Sequence, residues 1–187
     1  MSIDREEILR LTEEYGGQWG LNHTRRLLHL IEVIGESRAY DAEAVWLAAH
    51  LHDWGAYDAW DQPGVDHAQR SRQVAEAFLS ERGCPGPLLA LVLECIEYHH
   101  QGSPDRSIEA QLLSDADALD FLGAVGVVRD FSRRPRDLRK AYQDVQRHRQ
   151  KLPGLLCLAR SRELAAPRIK MMDDLLLAFA EDSFGYF

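Results

Sequence analysis

Apolar residues recur every three to four positions along most of the chain, and the strict alternation typical of strands is nearly absent. This spacing predicts amphipathic helices. Glycine and proline mark their ends: Gly16-Gly17 ends the first, and Pro153-Gly154 separates the last two long ones. The pattern predicts helices at residues 2–16, 22–38, 41–53, 66–83, 87–100, 108–123, 124–132, 136–152 and 154–184.

The number and spacing of these segments predict an all-α fold, a single-domain helical bundle spanning residues 1–187. The 187-residue chain is long enough to bury a substantial core. A loop, GAYDAWDQPGV, separates the third predicted helix from the fourth. The final predicted helix contains Pro167, where we expect a kink or a turn.

The formal net charge of −8 disfavours a general binder of nucleic acid or of anionic membranes. The charge is uneven, because residues 129–151 contain nine Lys or Arg against three Asp. Such a segment in an acidic protein either faces phosphate groups or forms a solvated helical surface. Charge runs usually coat surfaces, so we favour the solvated helices.

The three cysteines, Cys84, Cys95 and Cys157, form no C-x-x-C pair, which argues against a disulfide scaffold or a thiolate zinc site. The amino-terminal sequence MSIDREEILR has no apolar signal-peptide core, and no apolar run reaches the length of a membrane span. We therefore expect a cytoplasmic protein without a membrane partner. Its oligomeric state, a homodimer included, is left open.

Histidine and aspartate cluster near the ends of predicted helices, which can converge on one pocket in an antiparallel bundle. His52 follows Val45 and Ala48 at helical spacing, and Asp117 lies one turn after Leu113, so both side chains are expected to point inward. Buried charge must be paired or bound to metal. The residues concerned are His23, His52-Asp53, His67, His99-His100, Asp115 and Asp117.

A set of imidazole and carboxylate ligands suits Mn²⁺, Fe²⁺, Co²⁺, Ni²⁺ or Zn²⁺. Four such ligands in an octahedral shell leave two positions for water and substrate. A divalent cation there would lower the pKa of a bound water molecule and neutralise charge on phosphoryl oxygens.

This pattern resembles the HD superfamily of metal-dependent phosphohydrolases, in which H…HD…D supplies the metal ligands. The matching residues are His23 in NHTRR, His52-Asp53 in LAAHLHDWG, and Asp117 in SDADALD, with Asp115 as the alternative ligand or a supporting partner. The resemblance covers about residues 20–130, which leaves the C-terminal helices at 131–187 outside this metal-binding core. It implies one divalent cation rather than two, with Mg²⁺ also a candidate.

The resemblance implies hydrolysis of a phosphorylated small molecule, a nucleotide or a related phosphate ester or anhydride. His67, His99 and His100 are candidate catalytic residues, together with Asp53, because a histidine of ordinary pKa can protonate a leaving oxygen. In relatives with two metals, histidines at these positions bind the second ion. His29, His50 and His148 are expected to be structural or solvated.

For the parts of the substrate away from the metal, the sequence offers several candidate binding residues. Further phosphates could contact Arg25, Arg26, Arg70 or the basic segment 129–151. Trp54, Tyr57 and Trp60 either pack in the core and its rim or stack on a nucleobase.

Ala56 stands where the cyclic-dinucleotide phosphodiesterases have the lysine of HDxGK and the deoxynucleoside monophosphatases have the acid of HDxxE. The sequence is therefore more similar to small stand-alone bacterial HD hydrolases. Two other classes stay open. One is a di-iron oxygenase that adds His67 and His99 or His100 to the ligand set, and the other is a ligand-sensing module without turnover.

Overall fold

The computed structural model describes residues 3–187, in which the secondary structure is entirely helical. The elements are α1 (Arg5–Gly35), α2 (Ala42–Leu51), α3 (His67–Glu81), α4 (Gly86–Tyr98), α5 (Ile108–Asp120), α6 (Ala124–Arg133), α7 (Leu138–Lys151) and α8 (Ala159–Asp182), with short 3-10 turns at Trp54–Ala56 and Leu152–Leu155. The all-α prediction is confirmed. No helix among the described residues is both long and apolar enough to cross a membrane.

The first two predicted helices form one element, α1, with an interruption where the sequence predicts a stop. Gly17 has φ 61° and ψ −170°, a backbone conformation that favours glycine because it lacks a Cβ. The chain resumes its helical path directly afterwards. Gly17 therefore produces a kink rather than an end, and His23 lies in the second half of α1.

The core lies among α1, α2, α4 and α5, whose apolar faces meet as the periodicity predicts. Each large aliphatic side chain buried there stabilises the fold by about 1.5–3 kcal/mol. The α2 helix is buried on nearly all sides, which explains its almost continuous apolar sequence. Fully buried residues include Leu27 and Ile31 of α1, Leu47 of α2, Ile96 of α4 and Leu112 of α5.

The final helix begins later than the sequence predicts. Residues 154–158 belong to a turn and an extended segment, and α8 begins at Ala159. The reason is a tertiary contact, because the carboxylate of Asp115 on α5 accepts hydrogen bonds from the backbone N–H groups of Cys157 and Leu158 at 2.8 and 2.9 Å. Pro167 lies inside α8 and does not end it.

Candidate functional site

The His52-Asp53 pair lies where α2 ends. His52 is the C-cap residue of α2, and its Nδ1 donates a hydrogen bond to the carbonyl oxygen of Ala49 at 2.9 Å. Nε2 of His52 is thereby directed toward Asp53, whose Oδ2 lies 3.4 Å away. The short 3-10 turn that follows, Trp54–Ala56, buries Trp54 in the core.

His23 reaches the same point from α1. Its side chain is buried, and its Nε2 lies 3.2 Å from Oδ1 of Asp117 on α5 and 3.7 Å from Oδ2 of Asp53. The structure therefore brings together all four residues that the sequence predicts as metal ligands, His23, His52, Asp53 and Asp117. Three helices contribute to the group, so it depends on the packing of α1, α2 and α5.

The chemistry of this group fits a divalent cation. Nε2 of His23 and Nε2 of His52 are buried and have no hydrogen-bond partner among the described residues. Ligand atoms of His23, His52 and Asp53 all lie within 4.8 Å of one another. Buried polar atoms are almost always satisfied, and two imidazole nitrogens facing carboxylates form the kind of set that binds transition metals.

Close opposite charges shift the pKa values in this group. Burial by itself would raise the pKa of Asp53, but His52 and His23 outweigh it and lower that pKa well below its usual range. Burial by itself would lower the pKa of His52. The nearby Asp53 carboxylate favours the protonated imidazole more strongly, and the pKa of His52 is raised to about 9. The carboxylates thus stay charged in a buried place, as cation ligands must.

Asp120, on the same face of α5 as Asp117, is a residue of this site that the sequence analysis missed. Nδ1 of His23 donates to Oδ2 of Asp120 at 2.8 Å, and Arg26 donates to both Asp120 oxygens at 2.6 and 2.9 Å. Arg129 also pairs with Asp120. The available signal was the spacing in DADALD, because residues three apart share a helix face.

A second group of titratable residues adjoins the first. Ligand atoms of His67, His99 and His100 lie within 4.8 Å of one another, and Nε2 of His67 is 3.2 Å from Nε2 of His99. Nδ1 of His99 donates to the carbonyl of Ile96 at 2.7 Å. Burial lowers the pKa of His99 to about 4, so this imidazole is neutral near pH 7. The ring of His99 lies 4.9 Å from that of His52.

Asp115, the alternative ligand in the sequence analysis, serves a different purpose. It is fully buried, and its two oxygens accept the N–H groups of Cys157 and Leu158. Asp115 lies two residues before Asp117 on α5, and helical geometry points such neighbours to different sides. Asp115 therefore anchors the segment before α8 and is not a member of the His23 group.

The structure corrects the nucleobase-stacking interpretation for two of the three aromatic residues. Trp54 is fully buried and stacks on Trp60, with ring centroids 4.6 Å apart, and its Nε1 donates to Thr12. Neither tryptophan lines the main cavity. Tyr57 does line it, together with Trp19 of α1 and Phe121.

The three arginines predicted as phosphate contacts, Arg25, Arg26 and Arg70, do not line the main cavity. Arg26 is paired with Asp120, and Arg70 donates to the carbonyl of Trp60 at 2.6 Å. Arg25 and Arg26 line a separate surface pocket. The basic segment supplies the cations of the main cavity instead, because Arg133, Arg147 and Lys151 line it. This corrects the interpretation of residues 129–151 as a solvated surface only.

Of the three histidines predicted to be structural or solvated, His148 lies in an unexpected place. It lines the main cavity, and its Nδ1 is 2.7 Å from Oδ2 of the buried Asp130. His50 fits the prediction, because its Nδ1 donates to the carbonyl of Trp46 at 2.8 Å and its ring is buried.

The main cavity has a volume of about 780 Å³. Asp53, Asp117 and the histidines of the second group line one wall. Arg133, Arg147, His148 and Lys151, from α6 and α7, line the other. The cavity therefore combines a wall that includes the candidate metal ligands Asp53 and Asp117 with a cationic wall, an arrangement suited to an anionic ligand that bridges them.

Comparison with known proteins places these residues in a family context. A family model described as HD domain matches residues 20–122, which include His23, His52, Asp53, Asp117 and Asp120. No curated protein is similar enough in sequence to count as a match.

Solved structures share the fold over nearly the whole chain. A predicted HD superfamily hydrolase from an uncultured Thermotogales bacterium is 24% identical, with 95% of this chain and 92% of that chain covered and a TM-score of 0.68. An HD-superfamily hydrolase from Bacillus thuringiensis is 20% identical, with 95% of each chain covered and a TM-score of 0.70. Bacillus subtilis YpgQ in complex with ADP is 24% identical, with 95% and 93% covered and a TM-score of 0.68.

Proposed function

The chain belongs to the HD domain family, and we propose that it is a metal-dependent phosphohydrolase that acts on a nucleotide or a related phosphate ester or anhydride. The observation that carries the proposal is the pair of buried Nε2 atoms on His23 and His52, which have no hydrogen-bond partner within residues 3–187 and face Asp53 and Asp117 beside a large cavity lined by charged and aromatic side chains.

In this proposal His23, His52, Asp53 and Asp117 hold one divalent cation. When bound, such a cation lowers the pKa of a water molecule and neutralises charge on phosphoryl oxygens. The chain's own residues prepare the site: Ala49 and Asp120 accept the Nδ1–H groups of His52 and His23, so Nε2 of each ring is the nitrogen that would give up its proton and bind a metal.

The second histidine group is proposed to handle protons and phosphate oxygens. His67 and His100 line the cavity and are only partly buried, so a substrate can reach them. His99 is fully buried behind them and accepts or donates at Nε2. A proton held at this group can pass to the leaving oxygen as the phosphorus–oxygen bond breaks.

Three observations support a nucleotide as the substrate. The volume of the cavity falls within the range of pockets that enclose small organic ligands, and Trp19, Tyr57 and Phe121 supply aromatic lining beside the charged walls. The structural neighbour from Bacillus subtilis, a different protein of the same fold, was solved in complex with ADP.

The test is release of phosphate and pyrophosphate from a panel of nucleotides with Mn²⁺, comparing the wild type with Asp53→Ala and Asp61→Ala. Asp61 is an exposed aspartate eight residues further on that does not line the cavity. We expect Asp53→Ala to lose both bound metal and activity, and Asp61→Ala to keep both. Absence of release by wild-type protein that contains metal would contradict the proposal.

The second histidine group favours one alternative, a site with two metal ions, as in a di-iron oxygenase. His67, His99 and His100 offer three nitrogen atoms close enough to bind one ion. This alternative requires two irons per chain and consumption of O₂ with an organic substrate. A metal content of one ion per chain excludes it.

A further inference from the structure

The α6–α7 side of the main cavity carries an excess of positive charge that the family match does not cover, because the match ends at residue 122. Arg133, Arg147 and Lys151 line the cavity from this side. Arg147 and Lys151 lie four residues apart on α7, with His148 three residues before Lys151, so all three share a helix face.

Nearby carboxylates neutralise only part of this positive charge. Asp144 is the one carboxylate paired with Arg147, and it also lies within 3.3 Å of Arg134 and 3.7 Å of Lys140. None of the salt bridges among residues 3–187 includes Arg133 or Lys151. Like charges on one wall repel each other, and an anion in the cavity relieves that repulsion.

The remaining polar group of this wall is held in a fixed orientation. Asp130 is buried, and it accepts the Nδ1–H of His148 at 2.7 Å, which leaves Nε2 for a ligand. The ring of His148 lies 5.1 Å from that of Phe121, and Phe121 in turn lies 6.3 Å from His23. The cationic wall is thus one aromatic ring away from the His23 group.

Resting on the proposed function, we propose that Arg133, Arg147, His148 and Lys151 form a subsite for the distal phosphates of a polyphosphorylated substrate. The substrate class is then a compound with at least two consecutive phosphate groups. One phosphate lies at the His23 group and the next ones at the α6–α7 wall. Guanidinium and ammonium groups are the side chains that bind phosphate oxygens best.

The experiment measures binding of inorganic tripolyphosphate and of orthophosphate to the full chain by calorimetry in EDTA, where no turnover occurs. The variant is Arg147→Gln/Lys151→Gln. The control is Arg136→Gln/Lys140→Gln, which removes the same charge from the same segment at residues that do not line the cavity. Thermal unfolding and circular dichroism check that each variant is folded.

We expect the Arg147/Lys151 variant to raise the Kd of tripolyphosphate by about 10- to 100-fold, because two charge-assisted contacts are lost. The control variant should change it by no more than about twofold, because Arg136 and Lys140 do not line the cavity and salt screens their effect over distance. Equal weakening by both variants, or orthophosphate binding as tight as that of tripolyphosphate, would overturn the subsite.

Kinetics separate this inference from the proposed function. With metal present, the Arg147/Lys151 variant should raise KM for a nucleoside triphosphate and leave KM for a monophosphate nearly unchanged. Equal effects on both substrates would overturn the subsite and leave the phosphohydrolase intact. Tripolyphosphate binding that depends on Arg147 and Lys151, in a protein that hydrolyses no phosphate compound, would refute the proposed function and retain the subsite.

Discussion

His23 and Asp120 are 97 residues apart in the chain and joined by a hydrogen bond of 2.8 Å between Nδ1 and Oδ2. This contact determines which imidazole nitrogen of His23 faces Asp53 and Asp117. A carboxylate that accepts one ring N–H of a histidine leaves the other nitrogen free to bind a metal and increases its basicity. Arg26 and Arg129 hold Asp120 in place, and together with His23 they lower its pKa.

We therefore expect Asp120→Asn to weaken metal binding by about 10- to 100-fold without removing a ligand. The amide can rotate to present N–H to His23, which disturbs the orientation of the ring. Titration with Co²⁺, followed by its absorption spectrum, gives the affinity. Asp105→Asn, at an exposed residue in the turn before α5, is the matched control and should bind Co²⁺ as the wild type does.

Asp115→Asn should affect stability rather than metal binding. The variant keeps one acceptor oxygen and loses the other, so one of the N–H groups of Cys157 and Leu158 is left buried without its carboxylate partner. An unsatisfied buried group costs about 1–3 kcal/mol. Denaturant unfolding measures this loss, and metal content measured on the same sample should equal that of the wild type. A loss of metal would place Asp115 in the site after all.

Gly55→Ala should destabilise the protein through the contact between the turn Trp54–Ala56 and α3. A Cβ at Gly55 would lie 2.3 Å from the backbone nitrogen of Ser71 and 2.7 Å from the carbonyl oxygen of His67. Backbone atoms cannot move aside cheaply, and overpacking of this kind costs about 1–3 kcal/mol. The control is Gly86→Ala, where a Cβ meets no atom within 4 Å and φ is not positive. A melting temperature equal to that of the control would disprove this packing argument.

The two metal-site hypotheses differ in the metal content they require. Under the proposed function, the wild type and a His67→Ala/His100→Ala variant both contain one ion per chain, because the His23 group alone holds it. Elemental analysis of the purified proteins after dialysis measures this number. Two ions in the wild type and one in the variant would show that the second histidine group binds metal.

Glu7 and Arg82 join α1 to the end of α3 and give a dependence of stability on pH. Arg82 donates to both oxygens of Glu7 at 2.9 and 2.8 Å, and this contact lowers the pKa of Glu7 below its ordinary value of 4.5. In the acid range Glu7 then binds more protons in the unfolded chain than in the folded one. The ion pair therefore stabilises the folded state above pH 4.5, and this stabilisation is lost as the pH falls through the pKa of Glu7 in the folded protein.

Glu7→Gln should therefore be slightly less stable than the wild type at pH 7 and equal to it in strong acid. Melting temperatures of both proteins from pH 2 to 7 measure the difference. A difference that stays constant over this range would rule out the ion pair as its cause.

The sequence predicts the helices well where the evidence is local. Apolar spacing predicts α2 through α7 to within a few residues, because an amphipathic stripe is a property of one segment. It misplaces the start of α8, because the backbone before Ala159 is held by Asp115, a residue more than 40 positions away. A contact of that range leaves no trace in a periodic pattern.

For the site, the sequence by itself determined the residue types and the motif, His23, His52-Asp53 and Asp117, and with them the family. Only the tertiary structure decided their supporting partners. Asp120 accepts a hydrogen bond from His23, whereas Asp115 accepts the backbone N–H groups before α8. The tertiary structure also decided that the basic residues of α6 and α7 line the cavity, whereas Arg26 and Arg70 do not. Ligand types follow from local chemistry, but which distant side chains share a cavity is set by how the helices pack.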